Sequence, residues 1–312
     1  MNRKTNPDEF EKAPRWVVMC LGAYLIVDLF VLYVWNVAGQ AFAIQGTSDS
    51  TSLSVTGLAG VDLWLCLMVL RSFPAGAPLR PAWMLVTVAA SARVASGVFS
   101  QLLGTDWPLN PLVWAGHARS GLIEQIRISA LIAGGPVRLA LLAVAVLALL
   151  RILRKFGFRV RASATDWAMS GIFCLFTLCR FGEACWASLA GRQTGVEDWI
   201  SLAGLPILCL LFLEAMLLRQ SILRMGNGLV TRGWVALAWA IVLTGAGEVA
   251  LWVIPHYSQT LPLQIADTLI RLPIAAVFAL VPAYQVAAQR RAMKAAVGPC
   301  EDLAAGVPEP AG

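Results

Sequence analysis

The chain has 312 residues, of which 58% are hydrophobic and only 13% charged, with a mean hydropathy of +0.71. About a quarter of the residues of a soluble domain are charged, so the composition excludes an ordinary soluble enzyme. The net charge of +6 does not point to nucleic acid, because the basic residues gather in the short loops of one side of a membrane pattern.

The apolar content comes in blocks of roughly 20 residues, the length that crosses ~30 Å of hydrocarbon. In chain order the predicted spans are 16–37, 53–71, 83–104, 136–153, 167–190, 199–219, 234–254 and 264–287. They predict an all-α integral membrane protein, a bundle of about eight helices over residues 16–290. A cytoplasmic segment, 1–15, precedes it. A polar tail, 291–312, rich in Pro and Gly, follows and is expected to be disordered.

Before the first span stand Arg3, Lys4, Lys12 and Arg15. After it, Ala41-Phe42-Ala43 resembles a signal-peptidase site. The run before it is longer than a signal core, Asp28 interrupts it, and Asp8, Glu9 and Glu11 dilute the basic region. An uncleaved first span is therefore expected. Cleavage would leave seven spans, but a retinal Schiff base needs a lysine inside one. Lys4, Lys12, Lys155 and Lys294 all lie outside.

The loop 105–135 carries Leu122, Ile123, Ile126 and Leu131 at helical spacing. It reads equally as an amphipathic helix on the outer surface, broken by Gly134, Gly135 and Pro136, or as an outward extension of span four. Span four itself, "LALLAVAVLALL", is featureless and predicted to face lipid.

Orientation follows from the loops. Arg71 and Arg80, then Arg151, Arg154, Lys155, Arg159 and Arg161, then Arg219, Arg224 and Arg232, then Arg290, Arg291 and Lys294 all lie on the side of the N-terminus. The opposite loops hold Arg119, Arg127 and Arg192. The positive-inside rule puts both termini in the cytoplasm. Arginine far outnumbers lysine, a compositional bias that fits a bacterial inner membrane.

An internal repeat is also legible. One interval separates Trp16 from Trp167 and Trp83 from Trp234, and an interval one residue longer separates Asp62 from Glu214 and Asp28 from Arg180. Two parallel four-span halves would produce this. Interfacial tryptophans alone explain the first pair of matches, but not the second.

The spans carry Asp28, Asp62, Arg93, Arg138, Arg180, Glu183, Glu214, Glu248, Asp267 and Arg271. A charge at a span centre costs roughly 2.5–3.5 kcal/mol on the insertion scale. At ~1.5 Å per residue these charges run from the midplane outward, Glu214 excepted. Arg180 with Glu183, and Asp267 with Arg271, have the spacing of neighbours on one helix face, and Gln264 shares the second face. Pro273 is expected to break the helix beside Arg271 and free backbone groups there. Gly245 and Gly247 flank Glu248 and permit close helix approach.

The functional expectation is a transporter or solute-binding protein for a small charged or zwitterionic solute, with a site open to the outer side. Arg180, Glu183, Glu248, Asp267, Arg271, Arg93, Asp62 and Asp28 are its candidate ligand-binding residues. Arginines suit a carboxylate or phosphate. The alternative is a non-catalytic membrane subunit or sensor, whose charge pairs tie helices or dock a membrane partner. No GxSxG, HExxH or P-loop appears, so an enzyme is the least supported reading. Six of the seven cysteines lie in apolar runs, and His117 and His256 fall in loops. No cofactor or metal is expected.

Overall fold

Runs of Leu, Ala and Val, with Pro14, Pro81 and Pro262 in first turns, commit each block to a helix, and Pro206, Pro273 and Pro282 are accommodated inside helices. The computed structural model describes residues 12–42, 49–103, 121–158, 162–190, 195–222, 228–253 and 261–304. Among them, all regular structure is helical. The helices are α1 (Ala13–Phe42), α2 (Asp49–Ser72), α3 (Arg80–Leu103), α4 (Gly121–Ile132), α5 (Arg138–Lys155), α6 (Ala164–Leu189), α7 (Val196–Ile222), α8 (Leu229–Val253) and α9 (Leu261–Ala304). A π turn, Ala133–Val137, joins α4 to α5. Eight segments of the described residues are long and apolar enough to cross a membrane. The protein is an all-α multi-pass membrane bundle.

Local chemistry sets the ends. α5 stops at Gly157, whose φ of 82° is open to glycine at little cost. Phe158 N–H donates to the Leu153 carbonyl and Gly157 N–H to that of Arg154, the paired bonds of a Schellman stop. α6 then starts on a capping box, with Ser163 Oγ accepting from Asp166 N–H and the Asp166 carboxylate accepting from Ser163 N–H at 2.8 Å.

The loop 105–135 resolves in favour of the extension. Its described part continues into span four as one segment, Gln125–Lys155. Gly134, Gly135 and Pro136 do not break it. They form the π turn, in which Arg138 N–H donates to the Ala133 carbonyl, five residues back. The wider turn makes room for the proline ring that a regular α-turn would exclude. Likewise α9 runs through Pro273 and Pro282 without interruption, so no break opens beside Arg271. It also continues past 291 to Ala304, because "RRAMKAA" is composed of strong helix formers. Residues 305–312, His117, His256 and Ala43 lie outside the described residues, as does the Gln264 side chain.

The packing order repeats. α2 packs on α3 and α3 on α5. In the same way α7 packs on α8 and α8 on α9. α9 closes back on α2 as α5 closes on α7. Trp83 and Trp234, equivalent under the repeat interval, meet each other with ring centroids 5.4 Å apart. This packing order is the one that two repeated halves would give. It departs from symmetry at the first helix of each half. α1 packs broadly on α9, whereas α6 is held mainly by α7, through Phe173 stacked on Phe212 at 5.1 Å.

The featureless span is central, contrary to the expectation that it faces lipid. Leu142, Ala143, Ala145, Val146, Leu149, Leu150 and Leu153 of α5 are all buried. In a membrane, lipid and protein interior are equally apolar, and small residues mark the packed helices. Alternating Ala and Val let α5 fit between α3 and α7. The polar span α6 is instead peripheral, with 11% of its span buried against 50% in α7.

Candidate functional site

The eight candidate residues do not form one site. They fall into a lateral cluster, an interior centre and one isolated carboxylate.

The lateral cluster draws on three helices. On α6, Arg180 Nη1 donates to Glu183 Oε2 at 2.8 Å. On α9, Arg271 Nε donates to Asp267 Oδ1 at 2.6 Å. On α8, Glu248 is exposed and lies within electrostatic reach of both Arg271 and Arg180. Two glycines place it there. A Cβ on Gly245 would sit 3.0 Å from the Phe173 ring of α6, and one on Gly247 would sit 3.0 Å from Ile270 and Ile274 of α9. The missing side chains let α8 seat between its neighbours, with Glu248 next in sequence. Thr244, one turn before Glu248, directs its hydroxyl to the Ala240 carbonyl.

This cluster lies on the flank of the bundle, where it forms the wall of a lateral crevice only if a ligand or partner covers it, and it is not an enclosed chamber. The Arg180 and Glu183 side chains are 32% and 58% exposed. Leu178, Phe181 and Trp186 beside them are exposed too. Each arginine is neutralised along its own helix, and Glu248 stands between the two pairs. A ligand bearing both signs can exchange into such an arrangement without leaving a charge of either intrahelical pair unanswered.

The interior centre is built from α2, α3, α5 and α9. Asp62 is buried and stands within electrostatic reach of Arg93 and Arg138. Its Oδ1 accepts from the Cys66 thiol at 3.6 Å. The guanidinium carbons of Arg93 and Arg138 lie 5.5 and 4.8 Å from the centroid of the Phe278 ring, within cation–π range. Close helix approach brings these groups together. A Cβ on Gly134 would overlap the Ser96 side chain, so the π turn presses on α3 one turn from Arg93. Arg138 is the residue that follows the turn.

Asp28 belongs to neither group. It is buried between α1 and α2, where Ser54 Oγ donates to its Oδ1 at 2.6 Å and its Oδ2 has no partner. Glu214 of α7, the repeat equivalent of Asp62, is buried with both carboxylate oxygens unpartnered.

Sequence reasoning left out Arg138 and Phe278 as site residues. Arg138 had a signal in the preceding Gly-Gly-Pro, which reads as a break but folds as a π turn, a feature common at functional positions. Phe278 had none, since its role comes from the two arginines that reach it from other helices. Among the described residues no group of three or more His, Cys, Asp or Glu is placed to hold a metal ion. Comparison with protein-family models, with characterised proteins and with solved structures found no match to this chain.

Proposed function

We propose that this chain is a transporter or solute-binding protein of a bacterial cytoplasmic membrane, with both termini inside. It binds a small charged or zwitterionic solute at the lateral crevice, which faces the outer half of the bilayer. The supporting observation is the meeting of Arg180 and Glu183, Glu248, and Asp267 and Arg271 from three separate helices. The mechanism is an exchange of partners. The solute's carboxylate or phosphate takes the guanidinium forks of Arg180 and Arg271, which suit planar anions. Its ammonium takes Glu183 or Asp267, released from those arginines, with Glu248 between them. With no solute bound, the intrahelical pairs answer four of the five charges and leave Glu248 within reach of both arginines. That lowers the cost of holding them at membrane depth.

The test is a thermal-stability screen of the detergent-purified protein against amino acids, betaines, polyamines and organic acids, with Arg180→Ala in parallel. A bound solute raises the unfolding midpoint by mass action, by ~2.7 kcal/mol of stability at a hundred times its Kd. The expected result is one solute class that stabilises the wild type and leaves a folded Arg180→Ala unmoved. A solute that stabilises both proteins equally would place the site elsewhere.

A second reading rests on a different observation, the exposure of α6 along most of its span. A flank that combines exposed apolar residues with charges is also what a membrane partner would cover. In that case the charges tie subunits together. Exchanging Arg180 and Glu183 for each other would then preserve assembly, whereas Arg180→Ala would release the partner and lower the midpoint with no solute involved.

A further inference from the structure

The interior centre carries an imbalance that its own residues do not answer. Two arginines and one aspartate converge on Phe278. An arginine keeps its proton in a protein, so with Asp62 ionised the centre holds one uncompensated positive charge. A buried charge without a partner is among the most unfavourable arrangements a fold can contain. The face of an aromatic ring attracts a cation but does not neutralise it. Arg93 Nη1, moreover, is buried with no hydrogen-bond partner among the described residues, so a donor is as unmatched as the charge.

Beside these groups lies a cavity. Asp62, Arg138 and Phe278 line it with Ala89, Ala90 and Leu237. Arg93 is one turn along α3 from Ala89 and Ala90. The cavity volume is about 10 Å³, on the order of the space one water needs. It is too small for a carboxylate-bearing organic solute. A water there would leave the excess charge unanswered. A single-atom anion against Arg138 would answer it.

We infer that the interior centre seats one halide-sized anion, chloride in the cell, against Arg138 and within reach of the Arg93 charge. This site is separate from the lateral crevice and does not depend on how the crevice is used. It gives the two arginines of α3 and α5 a common counterion and makes the packing of α2, α3, α5 and α9 dependent on that ion. Asp62 competes with the anion for the same guanidiniums and so sets its affinity. The charged groups of the centre all come from the first half of the molecule. The repeat interval carries Arg93 onto Thr244, so the second half offers Glu214 and no arginine at this level.

The experiment uses the full-length protein purified in detergent with gluconate as the only anion. Chloride is titrated at constant ionic strength, with bromide and sulfate in parallel. The unfolding midpoint should rise along a saturating curve with chloride and bromide and stay flat with sulfate. Radiolabelled chloride should bind saturably at one per chain. Asp62→Asn should lower the half-saturating concentration at least tenfold, and Arg138→Gln should abolish the response. Arg180→Ala should keep it, which separates this site from the crevice. A wild type whose midpoint ignores chloride and which binds none saturably overturns the inference. So does a folded Arg138→Gln that responds like the wild type. Should Arg138→Gln fail to fold, the wild-type stoichiometry and the Asp62→Asn shift decide the matter.

Discussion

At the scale of single residues, the intramembrane carboxylates differ in how well they are answered. Asp28 has a hydroxyl on one oxygen. Asp62 has a thiol and two nearby guanidiniums. Glu214 has no hydrogen-bond partner on either oxygen, although it is buried among Leu211, Ala215 and Leu218. A buried polar group left unsatisfied costs about 1–3 kcal/mol, and an apolar residue of similar volume removes that cost. Glu214→Met is therefore expected to stabilise the purified protein by about 1–3 kcal/mol, an increase of several degrees in its unfolding midpoint. A fall in the midpoint would show that Glu214 has a partner beyond the described residues.

At the scale of elements, the decisive feature is the junction of α4 and α5. The π turn and the missing side chain at Gly134 let this segment lie against Ser96 of α3. An added methyl group there meets the Ser96 Cβ as well as its hydroxyl, so rotation of the serine does not relieve the clash. Gly134→Ala should cost about 1–3 kcal/mol, the usual range for overpacking. Adding Ser96→Gly should recover more than half of the loss. Thermal midpoints of the two single variants and the double variant form a cycle that measures this coupling. Additive losses would mean that the two helices do not meet at this point. The same junction sets Arg138 beside Phe278, so Gly134→Ala should also weaken the chloride response.

At the scale of the whole molecule, two halves with matching packing order meet at Trp83 and Trp234. Their matched charges have diverged in use. Asp62 joins a cationic centre while Glu214 stands alone. Asp28 is buried against α2 while Arg180 lies exposed on α6. The asymmetry follows from α6, which is held mainly by α7 and leaves the crevice open at the flank. With its basic loops on one side, the molecule should insert with both ends in the cytoplasm. A fluorescent protein fused after Gly312 should fold and fluoresce, whereas alkaline phosphatase at the same point should be inactive. The opposite pair of results would require an odd number of spans or a reversed orientation.

The number of spans, their helical nature and the pairing of charges within α6 and within α9 were legible in the amino-acid order. Each depends on neighbours a few residues apart, through block length in the first case and i,i+3 or i,i+4 spacing in the others. The close approach at Gly245 and Gly247 was legible for the same reason. Which helix lies at the centre was not. Lipid and protein interior are alike in polarity, so the apolar α5 proved buried and the charged α6 peripheral. The convergence of Asp62, Arg93, Arg138 and Phe278 from four helices was likewise decided only in three dimensions. It depends on a π turn at Pro136 and on Gly134, where a serine far away in the chain leaves no room for a side chain.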